Sequence, residues 1–153
     1  MEDTNIRTII VGVGNVLLKD EGIGVHITRA LQQTVMPDNI KVIDGGTSPD
    51  LHYYIKDCDK LIIVDAVQGG DKPGTIYRFH PHDVNMESEE MVSAHELVLG
   101  QSLEMMRLLG SEPKEIVIIG IEPKEIDWGM ELSAELQPKI PEIINLILSE
   151  INP

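Results

Sequence analysis

One cysteine, Cys58, stands in a chain of 153 residues, so no internal disulfide can form. The N-terminus lacks the basic and long apolar regions of a secretory signal, and the two absences together point to a reducing cytoplasm. No apolar run approaches the ~20 residues that span a bilayer, so membrane insertion is not expected. Basic residues are scarce: Lys and Arg total 12 against 26 Asp and Glu, a formal charge of −14. A surface of that sign repels nucleic acid and anionic membrane and leaves neutral, basic or cationic partners. Internal repeats, low-complexity linkers and a G-x-S-x-G nucleophile elbow are all missing. The length fits a single domain over residues 1–153, large enough to bury most of its apolar surface in one core.

What the chain does have is concentrated near its start. The run Thr8-Ile9-Ile10-Val11 is short and β-branched, as in a strand covered on both faces, and residues 22–35 then repeat apolar side chains at helical spacing. Between them lies a Gly-rich turn, Gly12-Val13-Gly14-Asn15-Val16-Leu17-Leu18-Lys19-Asp20-Glu21. A dinucleotide fingerprint needs a third glycine where this chain has Leu17, whose side chain would separate a helix and a strand that must pack closely. The nucleotide reading therefore fails. What remains is a long turn carrying Asp20 and Glu21 to a helix N-terminus, where the dipole favours negative charge. The two acids either help the helix start or form part of a site.

A second strand is expected at Ile40-Lys41-Val42-Ile43, closed by Asp44-Gly45-Gly46-Thr47, with a short helix opened by Ser48-Pro49-Asp50. Consecutive apolar residues from Leu61 to Val64 mark a buried third strand, Lys60 to Asp65. Gly69 to Gly74 is dense in turn residues, and Thr75 to Phe79 beyond it reads as a strand that the short connection would make antiparallel. His80 to Val92 reads as a polar loop crowded with Asp83, Glu87, Glu89 and Glu90, whose like charges resist compaction. Ser93 and Glu96 form a capping box for a helix that starts beside His95 and runs to Gly110. Ile116 to Ile121 is the last strand, and Ser133 to Leu148 a terminal helix bent by Pro138 and Pro141. This alternation predicts an α/β protein, a three-layer α/β/α sandwich around a mainly parallel sheet of five strands.

Ligands of such sheets bind beyond the carboxyl ends of the strands. Four strand ends carry acids: Asp20 and Glu21 after the first, Asp44 after the second, Asp65 at the end of the third and Glu122 after the last. Joined by His95 at a helix start, converging acids form an oxygen and nitrogen donor set suited to a borderline divalent ion such as nickel or zinc. The same residues read equally as solvated strand ends or loop caps. Ala94-His95-Glu96-Leu97 begins like the H-E-x-x-H motif of zinc proteases, but Leu99 occupies the place of the second His, and that reading is rejected.

Other candidates carry less. His80-Pro81-His82-Asp83 has a metal-like composition on a scaffold that proline interrupts. His26 and His52 fall within expected helices, as surface or partner-facing residues. Cys58 stands between Asp57 and Asp59, whose charge disfavours a thiolate. Of the adjacent Met105 and Met106 only one can face a core squarely, and with Met86 and Met91 they can also supply adaptable contact surface.

The ordered set Gly12-Val13-Gly14-Asn15, Asp20-Glu21-Gly22-Ile23-Gly24, Asp44-Gly45-Gly46-Thr47, Asp65-Ala66, His95 and Gly120-Ile121-Glu122-Pro123 resembles the nickel-iron hydrogenase maturation endopeptidases. The match is collinear over nearly the whole chain, and Leu132-Ser133 before the terminal helix resembles the family's ending. The resemblance implies a phosphorylase/hydrolase-like fold, with a twisted, mixed five-stranded sheet between helices. It implies a hydrolase that removes the C-terminal extension of a hydrogenase large-subunit precursor after nickel insertion, and that precursor as partner. Carried over by position, Glu21, Asp65 and His95 become the catalytic and metal-binding set. They would read nickel supplied by the substrate, with no organic cofactor. Asp44, Gly45, Gly46 and Thr47 become substrate-binding, their glycines letting a backbone approach closely. A substrate-held ion can polarise the scissile carbonyl or activate a water while a carboxylate accepts the proton, and both routes stay open. The alternative is a non-catalytic, metal-responsive binding module or nickel chaperone built on the same edge, and a generic aminopeptidase is a third reading.

Overall fold

Buried, β-branched runs become the middle of one twisted sheet. In chain order the strands are β1 (Thr8–Val13), β2 (Ile40–Gly46), β3 (Lys60–Gln68), β4 (Ile76–Phe79), β5 (Val92–Ser93) and β6 (Glu115–Ile121). The computed structural model describes residues 6–48, 50–83, 92–93 and 96–151. His95, Met86, Met91 and the acids Glu87, Glu89 and Glu90 lie outside the described residues. Five strands lie side by side in the order β2-β1-β3-β6-β4. The first four of these are mutually parallel, and β4 runs antiparallel to β6. The mixed five-stranded sheet and its antiparallel edge strand match the expected α/β sandwich.

Alternation along the strands sorts side chains into two cores. Ile10, Ile62, Val64, Val117 and Ile119 pack with Ile23, Ile27 and Leu31 of α1 (Ile23–Gln32), and with Ile143 and Ile147 near the C-terminus. On the other face Ile9, Val11, Leu61 and Ile63 meet Leu51, Ile55 of α2 (His52–Ile55) and Met106 of α3 (Glu96–Leu109). Met106 is fully buried while Met105 is exposed, as a helix with one inward face requires. Cys58 belongs to this second core, and burial first, then the charges of Asp59 and Asp57, pushes its thiol up to about 11.

Three local expectations need correction. The helix expected to reach Val35 ends at Gln32, and Val35 is almost fully exposed. Ser133 does not begin the terminal helix. A 3-10 turn at Gln137–Lys139 leads into α4 (Ile140–Ile151), with Pro138 and Pro141 each in an opening turn, where the missing N–H breaks no helical bond. Finally, the polar loop is interrupted at both ends. Pro81–Asp83 forms a 3-10 turn, and Val92 and Ser93 pair antiparallel with Gln68 and Val67 as β5. That pairing is possible because β3 runs past its last partner residues on β1 and β6.

Near its end α4 is tied back to the sheet. The Glu150 carboxylate accepts Arg78 Nε at 2.5 Å, Arg78 Nη2 at 3.0 Å and Lys60 Nζ at 3.1 Å. These cations, Arg78 foremost, pull the Glu150 carboxyl down to about 2. Among the described residues no helix is long and apolar enough to cross a membrane.

Candidate active site at the sheet's switch point

From β1 the chain crosses to β2 on one side, while β3 flanks β1 on the other. The carboxyl ends of β1 and β3 are therefore the topological switch point, the place where an open α/β sheet forms its ligand-binding crevice. Two glycines bring the first loop into it. Gly14 has φ +138°, and a Cβ there would lie 2.0 Å from the Glu21 carbonyl oxygen. A Cβ on Gly24 would lie 2.2 Å from the Val64 carbonyl oxygen, so the first turn of α1 rests on β3 immediately before Asp65. Only glycine permits such contact.

Glu21 and Asp65 are both buried at this crevice, with 8% and 1% of their surfaces exposed. Glu21 sits in the 3-10 turn Lys19–Gly22 that feeds the N-terminus of α1. Asp65 Oδ1 accepts the Ala66 N–H at 2.8 Å. Among the described residues no group of three His, Cys, Asp or Glu side chains is arranged to hold a metal ion. Of the expected set, Glu21 and Asp65 are described and His95 is not. Ser93, two residues before it in sequence, pairs with Val67, two residues after Asp65.

The neighbouring acid Asp20 does different work. Fully buried, it accepts the backbone N–H groups of Lys124 and Glu125 on Oδ2, both at 2.9 Å, and that of Ser133 on Oδ1 at 2.8 Å. Three such bonds satisfy a buried carboxylate and fasten the loop between β6 and α4 to the first loop. Glu122 is likewise a brace. Its Oε1 accepts the Gly69 N–H at 2.8 Å and the Tyr77 hydroxyl at 2.5 Å. Burial, followed by the bonds to Glu122 and Asp71, raises the Tyr77 phenol.

The second-strand turn divides in two. Asp44 Oδ2 meets Arg29 Nε at 3.2 Å, and Gly45 is buried against Val11 and Gly12 of this same chain. Gly46 has an open outer side, and its carbonyl accepts the Gly14 N–H at 2.9 Å, while Thr47 is exposed. Gly45 is thus the one buried member of the four, while Asp44 and Thr47 are exposed and Gly46 is half-buried. His80 and His82 stack with ring centroids 5.3 Å apart, and His80 Nδ1 lies 2.8 Å from Ile116 O, at the amino end of β6 and away from the crevice. His26 is half-buried on α1 rather than on open surface. Burial and then Arg29 lower its pKa, against the Met130 backbone and Asp20. The part that local sequence did not mark is the loop Lys124–Glu131, whose one signal is the chain's single tryptophan, Trp128, among acids.

Fold and crevice define a three-layer α/β protein with buried acids at its topological switch point. A family model described as hydrogenase maturation protease matches residues 25–150. The hydrogenase 2 maturation protease of Escherichia coli strain K12 is 32% identical over 149 residues, covering 95% of this chain and 91% of that protein. Among solved structures, the hydrogenase maturating endopeptidase HybD from E. coli superposes with a TM-score of 0.85 at 31% identity, over 95% of this chain and 92% of that one. The [NiFe] hydrogenase maturation protease HybD from Thermococcus kodakarensis gives a TM-score of 0.79 at 30% identity, over 94% and 98%. The chain belongs to the hydrogenase maturation protease family. It is accordingly a hydrolase of peptide bonds.

Proposed function

We propose that this protease removes the C-terminal extension of a nickel-iron hydrogenase large-subunit precursor in the cytoplasm, and that it acts once nickel is in place. The carrying observation is the pair of buried carboxylates, Glu21 and Asp65, held in one crevice at the switch point by glycine contacts. Nickel is here part of the substrate. Two carboxylates and the imidazole of His95 suit a borderline divalent ion, and a donor set this small leaves room for ligands that the precursor already supplies. The ion serves first as the signal that the precursor is ready, and a bound divalent ion would also supply polarisation of oxygen at the scissile bond. The chain's own groups orient the precursor, exclude water through the buried walls of the crevice, and accept a proton on a carboxylate. The open side of Gly46, beside exposed Thr47, supports passage of the substrate backbone along that turn.

The test uses protease stripped with chelator and then freed of it. Nickel-loaded and nickel-free large-subunit precursors are incubated with it and weighed by mass spectrometry. Loss of a C-terminal fragment from the loaded form alone is expected. A ~100-fold preference corresponds to roughly 2.7 kcal/mol of differential binding. Equal cleavage of both forms would remove the nickel-reading role, and cleavage of neither would remove the precursor as substrate.

A further inference from the structure

The loop between β6 and α4 displays large apolar side chains in solvent. Ile126 is 41% exposed, Trp128 75% and Met130 61%, and Leu17 of the first loop adds another at 47%. The two segments are laced together. The Gly129 N–H donates to Leu17 O at 2.9 Å, and the Lys19 N–H donates to Gly129 O at 2.8 Å. Exposed apolar groups gathered in this way mark interaction surfaces.

Two features identify the occupant. First, the patch is continuous with the crevice: Leu18, bridged to Gly129, accepts the Glu21 N–H on its carbonyl at 3.1 Å. Second, its rim is acidic. Asp127 is exposed between Ile126 and Trp128, Glu125 and Glu131 are exposed on either side of the run, and the nearby Lys19 and Lys124 already pair with Glu125 and Glu135. A chain of formal charge −14 repels a second copy of itself at such a rim and attracts a basic segment. The loop is also held before any partner arrives, because the Asp20 carboxylate fixes the backbone at Lys124, Glu125 and Ser133. Docking on it therefore loses little ordering entropy.

The geometry points to Leu17, Ile126, Trp128 and Met130 as the docking surface for a segment of the precursor that carries apolar anchors flanked by Lys or Arg. This rests on the function proposed above, and names a surface separate from the one that receives the scissile bond. Trp128 is the central anchor, since a tryptophan offers more contact area than any other side chain and dominates many interfaces.

The single tryptophan makes the test direct. Protease labelled with fluorotryptophan gives one fluorine resonance, from residue 128, which is titrated with unlabelled, nickel-loaded large-subunit precursor. A saturable shift is expected. In the cleavage assay Trp128→Ala should raise KM about 10-fold or more with kcat nearly unchanged. Asp127→Lys combined with Glu131→Lys should raise KM as well and flatten its dependence on salt. Trp128 is largely in solvent, so circular dichroism should show the variant folded. A resonance that stays fixed at saturating precursor, or an unchanged KM in Trp128→Ala, overturns the proposal. A shift that follows protease concentration alone assigns the patch to a second copy and overturns it too. If the wild-type protein cleaves no precursor, the proposed function fails, whereas a fluorine shift on adding precursor still supports docking at Trp128.

Discussion

Asp20 reaches across 113 residues of sequence to Ser133, taking its backbone N–H on Oδ1 at 2.8 Å. With Lys124 and Glu125 on the other oxygen, this carboxylate is the pin between the first loop and the loop before α4. Asp20→Ala should leave three N–H groups without their charged acceptor and cost about 2–4 kcal/mol in urea unfolding. Hydrogen exchange should quicken at Lys124, Glu125 and Ser133. Unaltered protection at those amides would contradict the pin.

Removing a donor from the proposed catalytic set should cost activity and not fold. Glu21→Gln, Asp65→Asn and His95→Ala are each expected to lower kcat/KM on loaded precursor by about 10³-fold or more. In Asp65→Asn the side-chain oxygen can still accept the Ala66 N–H, so the β3 terminus should hold. Precursor mass and far-ultraviolet circular dichroism check the two halves of the expectation. A variant that cleaves at the normal rate takes that residue out of the site.

Glu150 should carry part of the acid sensitivity. Its folded carboxyl titrates near about 2 against an ordinary 4.5, so the unfolded chain takes up the proton first as pH falls. Its stabilisation is therefore complete above 4.5 and lost as pH drops through about 2. Glu150→Gln should cost about 1–2 kcal/mol at neutral pH and nearly nothing at the acid end. Urea midpoints measured across that range test the convergence.

His26 has a signature of the same sign in a higher pH range. Burial and Arg29 keep its ring neutral below its ordinary 6.5, so the unfolded chain binds a proton that the folded chain resists. Stability should therefore fall as pH drops below 6.5, down to the lowered folded value. His26→Gln should remove that slope. Thermal unfolding at about pH 7.5 and about pH 5.5, compared between the two proteins, reads it directly.

Much of this architecture is written locally. A run such as Leu61-Ile62-Ile63-Val64 is apolar on both faces, and only a central strand covered by helices buries both. The strand-end acids can be located in the same way, because a parallel sheet delivers every carboxyl end to one edge. Their division of labour is not local. Asp20 and Glu21 are adjacent acids before one helix, and what separates them is the set of N–H donors at Lys124, Glu125 and Ser133. Gly45 and Gly46 are also alike in sequence, yet Val11 and Gly12 fill the space beside the first and leave the second open. Two residues of β5 are too few for any periodicity, and only the overhang of β3 creates their partner. Pro138 and Pro141 read as bends because proline breaks helices, but at an opening turn it starts them.

With a Cβ on Gly14 meeting the Glu21 carbonyl and one on Gly24 meeting that of Val64, the first loop accepts neither a larger side chain nor an inserted residue without moving Glu21. Selection has no such constraint on the outer face of residues 124–131, whose side chains meet solvent. A lineage of this build can change clients by rewriting Ile126, Trp128 or Met130 while the carboxylates in the crevice stay as they are. Under the proposed function, recognition would vary chiefly on one loop and hydrolysis stay fixed beside the other, the two joined by one buried aspartate.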